Sequence, residues 1–416
     1  MTPSDAPLSR SLSLSDSVVI GLAAMIGAGI FAALAPAAQS AGQYLLAALA
    51  IAAAVAYCNA NSSARLAAIY PSSGGTYVYG RERLGEFWGY LAGWGFVVGK
   101  TASCAAMALT VGTYAWPGHE KLIAVVTVVA VTGINYAGVQ KSARAARIIV
   151  ALVLLVLLGV VVISFIEAGG PHLPASTATI GVGGVLQAAG LLFFAFAGYA
   201  RIATLGEEVR NPEQTIPRAI GIALGIALGV YAVVAFAVLS VLGADGLADA
   251  ADPLARAVAA VTGAEQVVRV GAVVAAAGAL LSLVLGVSRT TFAMARDGHL
   301  PQPLAVVHPR FRVPHRAELA VGAIVIVLVL ATDLRGAIGF SSFAVLTYYL
   351  IANLSAWTLS RRVRSRIVPT LGAIGCVVLA CTLPTASVVA GAVVLLIGAA
   401  LYAGRRRMAG GRQPLS

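Results

Sequence analysis

The stretch Ala24-Met25-Ile26-Gly27-Ala28-Gly29-Ile30-Phe31 interrupts an apolar run that extends over about residues 17–38. Each of its two glycines weakens an α-helix by about 1 kcal/mol relative to alanine. A break at this point leaves backbone N–H and C=O groups without helical partners, which hydrocarbon does not tolerate. We therefore expect this stretch to face a cavity or a ligand inside a membrane protein.

The composition of the whole chain also indicates a membrane protein. Of its 416 residues, 59% are hydrophobic and only 11% are charged, whereas soluble domains carry roughly a quarter charged residues. The chain has too little polar sequence to cover a water-soluble globule. This excludes a cytosolic enzyme, a secreted disulfide scaffold and a nucleic-acid-binding module.

Twelve apolar runs near twenty residues in length predict an all-α polytopic protein with twelve transmembrane helices. A helix needs about 20 residues to cross about 30 Å of hydrocarbon. Segments such as 148–163 do not alternate apolar and polar residues, so they are unlike the strands of outer-membrane barrels. The predicted spans are 17–38, 43–66, 86–115, 121–138, 147–168, 183–206, 217–243, 266–293, 317–333, 338–360, 367–383 and 386–404.

The positions of the basic residues predict the orientation. With a cytoplasmic N-terminus, 23 of the 28 Lys and Arg residues fall on the inner side and Lys100 lies within a span. Cytoplasmic loops carry such an excess, so the net charge of +12 reflects topology and needs no nucleic-acid partner. We predict a multi-pass protein of the cell (inner) membrane with both termini in the cytoplasm. The outer basic residues are Lys121, Arg256, Arg269 and Arg335.

Cysteine and histidine give no sign of a metal centre or a catalytic set. The five histidines are scattered over both sides of the membrane, and the cysteines have no metal-ligand spacing. We predict plain buried thiols, no cofactor, no metal, no obligate protein partner and no enzymatic activity. The cysteines, all within or beside spans, are Cys58, Cys104, Cys376 and Cys381.

A second interruption lies in the sixth predicted span, at Phe193-Phe194-Ala195-Phe196-Ala197-Gly198-Tyr199. A glycine-interrupted first helix in each of two five-helix halves is typical of the inverted repeats of secondary transporters. This predicts a single domain, 1–416, with repeats at 17–168 and 183–360 and two additional helices in 367–404. Spacing alone leaves open an alternative, close helix packing through small residues.

Four stretches resemble the amino acid–polyamine–organocation (APC) family of permeases, and they occur in that family's order. The resemblance implies a LeuT-like fold with a five-plus-five inverted repeat, broken helices one and six, and amino-acid transport by alternating access. The stretches are Gly21–Pro36 with its Ile26–Phe31 core, Tyr70-Pro71-Ser72-Ser73-Gly74-Gly75-Thr76-Tyr77-Val78-Tyr79, Glu207–Pro212 continuing into Thr215–Ile220, and Ser288-Arg289 followed by Met294–Pro301.

The resemblance implies a solute site at the two breaks. It places a substrate carboxylate on the N–H groups of Ala28, Gly29 and Ile30, at the positive end of a half-helix. It places the α-ammonium on freed carbonyl groups of helices one and six. Phe194 and Phe196 are expected to cover the substrate from outside, with ordinary helix packing as the alternative. The predicted substrate-binding residues are Ala24, Met25, Ile26, Gly27, Ala28, Gly29, Ile30, Phe194, Phe196, Ala197 and Gly198.

Two departures from the family's pattern refine the functional prediction. Several members have an acidic residue two positions after the helix-six glycine, where this chain has Ala200. We therefore predict neutral amino acids as substrates, with a polyamine or cationic amino-acid exchanger as the alternative. Many proton-coupled members have a lysine in helix five that stands in for a sodium ion, and this chain has Val153 there.

Lys100 is the one Lys or Arg placed away from the ends of the spans. A charge at that depth is a functional hypothesis by default. We predict that Lys100 replaces the missing helix-five lysine by reaching Ser282 and carbonyl groups near Ala23 and Ile26, so that transport is linked to protons or is an exchange. The alternative is a lysine that snorkels to the membrane surface.

Other polar residues are weaker candidates. One group at the inner mouth forms either a gate network or a solvated face: Glu207, Glu208, Arg210, Arg289 and Arg296. Tyr348, Tyr349 and Asn353 are candidates for lining the solute path. A transporter-like sensor is disfavoured because the tails, 1–16 and 404–416, are short, and a membrane enzyme because no catalytic set shares a membrane depth.

Overall fold

The structure is a computed structural model that describes residues 12–71, 74–138, 143–170, 180–206 and 208–410. Within these ranges every regular element is a helix, and a single isolated β-bridge joins Leu12 to Val209. The chain is therefore all-helical over the part that is described.

The described residues of the first half of the chain form eight α-helices, and the first predicted span is divided into three of them. Their bounds are α1 (Leu14–Met25), α2 (Gly29–Ala32), α3 (Leu34–Ala41), α4 (Leu45–Ile69), α5 (Thr76–Leu84), α6 (Glu86–Ala115), α7 (Glu120–Tyr136) and α8 (Ala143–Glu167).

The described residues of the remainder form nine α-helices, and the first predicted span there is also divided. Their bounds are α9 (Val182–Phe196), α10 (Ala200–Ala203), α11 (Pro212–Ala248), α12 (Pro253–Arg256), α13 (Ala264–Arg296), α14 (His315–Ala331), α15 (Leu334–Trp357), α16 (Val363–Thr382) and α17 (Thr385–Gly410).

Ten helical segments of the described chain are long and apolar enough to cross a membrane, so this is a polytopic membrane protein. Two further predicted spans, 121–138 and 317–333, correspond to α7 and α14. Each of these helices has 17 residues, which gives a length of about 26 Å. The twelve-span count and the five-plus-five repeat remain predictions.

The helices differ in how deeply they are enclosed. Most of the apolar window of α6 is buried (83%), as is that of α15 (78%), whereas only 28% is buried in α8 and 17% in the last span. Large side chains such as Leu155 and Leu158 are exposed along α8, as expected for a surface that lipid covers. The centre of the protein is therefore built around α6 and α15.

Candidate solute site at two broken helices

The first break separates α1 from α2. The last helical hydrogen bond of α1 runs from the Ile26 N–H to the Leu22 carbonyl. The next backbone hydrogen bond runs from the Phe31 N–H to the Ala28 carbonyl, at 3.1 Å. Between these bonds, the N–H groups of Gly27, Ala28 and Gly29 have no acceptor within the described chain. The break thus leaves backbone donors unpaired in the middle of an apolar span, as the sequence predicts.

The second break separates α9 from α10 by a 3₁₀ turn, Ala197–Tyr199. Here the carbonyl oxygen of Ala197 accepts a hydrogen bond from Lys100 Nζ at 3.1 Å. The Tyr349 hydroxyl lies 3.5 Å from the same oxygen. The carbonyl freed by this break therefore faces side chains of α6 and α15.

The two breaks are in direct contact, and glycine makes this contact possible. A Cβ atom on Gly198 would lie 2.4 Å from the Ala24 carbonyl oxygen, and one on Gly29 would lie 2.7 Å from the Ala195 Cα atom. Any larger residue at these positions would push the helices apart. The structure thus brings together the backbone groups that were predicted to bind solute, and their binding role remains a proposal.

The two phenylalanines of α9 that were predicted to cover the substrate, Phe194 and Phe196, are both buried. The Phe196 ring lies 5.1 Å from the ring of Tyr231, so in this conformation it takes part in helix packing. Phe194 is 7% exposed. A covering role for either ring remains a proposal.

A small cavity lies between α1, α8 and α13. Its volume is about 30 Å³, and its lining includes Ala23, Ile26, Gly27, Val153 and Ser282. This volume is large enough for one water molecule. The Ser282 hydroxyl donates to the Gly278 carbonyl at 3.2 Å. Three of the residues predicted for coupling therefore share one cavity, together with the valine that replaces the expected lysine.

Lys100 does not reach this cavity in the described conformation. Its ammonium group donates to the Ala197 carbonyl at the second break. The expected contact with Ala23, Ile26 and Ser282 is therefore not formed. The physical reason is the packing of α6 on α15, where Ser103 bonds Ser341 at 2.6 Å and Gly99 allows close approach to Ala344. Lys100 is only 6% exposed, so it does not snorkel to the surface either.

Of the weaker candidates, Asn353 lies in a buried polar cluster rather than on an open path. Its amide donates to Asn59 at 2.6 Å and accepts from Ser62 at 2.6 Å, which connects α15 to α4. Among the residues predicted for the inner mouth, Arg296 has its Nε atom 3.8 Å from Asp297 Oδ1. Glu207 lies outside the described residues.

Tyr231 is a contact residue that sequence reasoning missed. Its hydroxyl lies 2.6 Å from the Met25 carbonyl oxygen and 3.1 Å from that of Ala195. The available signal was a tyrosine in the middle of an apolar span, where a hydroxyl needs a partner. The partner itself could not be read from the sequence.

The family described as amino acid permease matches residues 12–408. The chain belongs to the amino acid permease family. This confirms the predicted APC membership and shows that the protein is a membrane transporter of that family, which points away from an enzyme. Membership implies a small-molecule amino-acid substrate and a membrane setting.

Three relatives illustrate the range within this permease family. An uncharacterized transporter of Mycobacterium tuberculosis is 64% identical over 98% of this chain and 94% of its own length. The branched-chain amino acid permease BcaP of Bacillus subtilis is 27% identical over 96% of this chain and 94% of its own length. The vacuolar cationic amino acid transporter 2 of Arabidopsis thaliana is 29% identical, covering 84% of this chain and 59% of the relative.

Proposed function

We propose that this permease is a secondary active transporter that moves amino acids by alternating access and prefers neutral over cationic amino acids. The observation that carries the proposal is the buried ammonium of Lys100 at the second break. Two like charges 4 Å apart repel by about 4 kcal/mol at an effective dielectric constant of 20. A second positive charge on the solute is therefore unfavourable beside Lys100, and Ala200 supplies no counter-ion.

The two broken helices support the alternating-access part of the proposal. Discontinuous helices with free backbone groups at the midplane are a common binding arrangement of secondary transporters. In our proposal the N–H groups of Ala28, Gly29 and Ile30 hold the substrate carboxylate. Freed carbonyl groups of both breaks take the ammonium. They lie near Ala24 and Met25 in helix one and near Phe196 and Ala197 in helix six. The proposed repeats are 17–168 and 183–360, in an inner membrane with cytoplasmic termini.

We also propose that transport is linked to protons or is an exchange, and needs no added sodium. Lys100 is the candidate proton carrier because it is the buried amine at the substrate site. The lining of the cavity beside Val153 and Ser282 contains no ionisable side chain, so it supplies no alternative proton carrier. Movement of helix one would change the surroundings of both Lys100 and this cavity.

The alternative is a polyamine or cationic amino-acid exchanger, and similarity to a cationic amino acid transporter favours it. Competition for uptake into proteoliposomes separates the two. We expect unlabelled leucine and alanine to compete with a labelled neutral amino acid better than arginine and putrescine do. Stronger competition by arginine or putrescine contradicts the neutral preference, and chemical conversion of the label contradicts transport.

A further inference from the structure

The ammonium group of Lys100 is incompletely paired. A lysine ammonium has three N–H donors, and within the described residues Lys100 Nζ has one hydrogen-bond acceptor, the Ala197 carbonyl. It forms no ion pair with any carboxylate of the described chain. Two donors of a buried cation are therefore available to another molecule.

The surrounding helices offer no acidic residue at this depth. Helix α15 contains no Asp or Glu, and neither do α2, α3, α4, α9 and α10. The acidic residue of α6 is Glu86, which lies 14 residues before Lys100, about 21 Å along the helix axis. In α13 the single acidic residue is Glu265, in its first turn. A counter-ion therefore has to come from outside these helices.

The side chains near the ammonium are aromatic. Tyr349 shares the Ala197 carbonyl with Lys100, and its ring lies 5.1 Å from that of Tyr199 and 5.8 Å from that of Phe193. An isolated charge in such surroundings costs several kcal/mol unless it is paired. This cost makes Lys100 a group that favours an anion.

We infer that Lys100 is the counter-ion for a carboxylate of the solute, and that the site selects carboxylic acids with a net charge of −1. The inference rests on the proposed solute site at the broken helices and deepens it by naming the substrate class. A neutral amino acid brings one ammonium and one carboxylate, so Lys100 and the solute together keep a net charge of +1, and the solute's ammonium competes with Lys100 for the Ala197 carbonyl. A solute with a net charge of −1, with or without an ammonium, makes Lys100 and the solute together neutral.

Two kinds of solute have this chemistry, an acidic amino acid and a 2-oxo acid. The test measures binding to the purified full-length protein at pH 7 by thermal stabilisation and calorimetry. The probes are glutamate, 4-methyl-2-oxopentanoate, leucine and arginine. We expect at least one anion to bind about tenfold or more tightly than leucine, because glutamate adds a second carboxylate and the oxo acid lacks the ammonium that repels Lys100. Arginine should bind most weakly.

Lys100→Met tests the residue itself, because it keeps the length of the side chain and removes the charge. We expect this variant to lose the preference for the anion over leucine. Lys121→Met is the matched control, since Lys121 lies at an exposed outer helix end, and it should keep the wild-type order. If only glutamate binds more tightly than leucine, the solute is an acidic amino acid. If only the oxo acid does, the solute is a carboxylic acid without an ammonium.

Three results overturn the inference. The first is a wild-type protein that binds leucine more tightly than both anions, which leaves the permease proposal intact and does not depend on any variant folding. The second is an anion preference that persists in Lys100→Met. The third is binding of none of the four probes together with no uptake of any amino acid, which contradicts the proposed function as well.

Discussion

The hydroxyl group of Tyr231 lies 2.6 Å from the carbonyl oxygen of Met25, the last residue of α1. This carbonyl has no helical partner because the backbone hydrogen bonds of α1 stop at the break. The same hydroxyl lies 3.1 Å from the Ala195 carbonyl oxygen. One side chain of α11 therefore holds the two broken helices together at the point where they cross.

Replacing Tyr231 with phenylalanine removes this link without changing the ring. We expect Tyr231→Phe to lose about 1 kcal/mol of stability and to bind the transported amino acid more weakly, because the crossing becomes less rigid. Both effects are measurable as a lower Tm and a higher Kd. Tyr57→Phe is the control, since Tyr57 is 58% exposed on α4. Equal Tm and Kd values for the two variants contradict the bridging role.

Close packing around the first break predicts a strong effect of side chains at Gly27 and Gly29. A Cβ atom on Gly27 would lie 2.5 Å from that of Ala279, and one on Gly29 would meet Ala195. We expect Gly27→Leu and Gly29→Leu to insert into the membrane and to lose solute binding. Gly159→Leu is the matched control, because nothing lies within 4 Å of that position. Normal binding by both test variants rules out the helix-one site.

The proposed coupling role of Lys100 predicts a changed pH profile of uptake. We expect Lys100→Ala to keep the fold and to lose pH-dependent uptake or to convert uptake into passive exchange. Lys100→Arg should fail too, because a guanidinium stays charged and is bulkier than an ammonium. Uptake is measured in proteoliposomes against internal and external pH. A purely structural lysine predicts lower stability with an unchanged pH profile, and that outcome contradicts coupling.

An ion-pair cluster lies at helix ends that the predicted orientation places outside, and it predicts a response to external acid. Arg269 of α13 pairs with Asp252, which precedes α12, and with Glu265 at 2.8 Å. Burial, the largest cause, raises the pKa of Asp252, while Arg269 opposes this effect. A raised pKa means that Asp252 takes up a proton at a higher pH than an exposed aspartate does. The pair should therefore weaken as the external pH falls.

Hydrogen exchange in residues 253–256, corrected for the intrinsic rate, measures this weakening. We expect exchange in wild type to rise on acidification. Asp252→Asn should exchange faster at neutral pH and show little further change. Asp249→Asn, an exposed site nearby, should behave like wild type. A wild-type pH response retained in Asp252→Asn assigns the titration to another group.

Replacing the buried carboxyl group of Glu318 with an apolar side chain is expected to stabilise the protein. Its side chain is fully buried in α14, and neither carboxylate oxygen has a hydrogen-bond partner in the described parts of the chain. A buried carboxyl group without hydrogen-bond partners costs stability, and an apolar residue of similar volume removes that cost. We expect Glu318→Met to raise Tm and Glu213→Met, at an exposed position, to leave it nearly unchanged. A large fall in Tm for Glu318→Met contradicts this account.

The helix breaks could be predicted because their cause is local. Glycine lowers helix propensity wherever it stands, so the interruptions at Gly27–Gly29 and at Gly198 are visible in the chain itself. The membrane class follows from composition in the same way. Tyr231 could not be assigned a partner, because its carbonyl acceptors on α1 and α9 are 206 and 36 residues away along the chain.

The position of Lys100 shows the limit of sequence reasoning most clearly. The chain shows directly that a lysine lies deep in the third predicted span and that Val153 occupies the place of the usual helix-five lysine. The carbonyl group that the ammonium reaches became known from the packing of the helices. That choice depends on the rotation and close approach of α6 to α15, which the contacts of Gly99 and Ser103 establish. Such a contact between distant helices leaves no periodic signal along the chain.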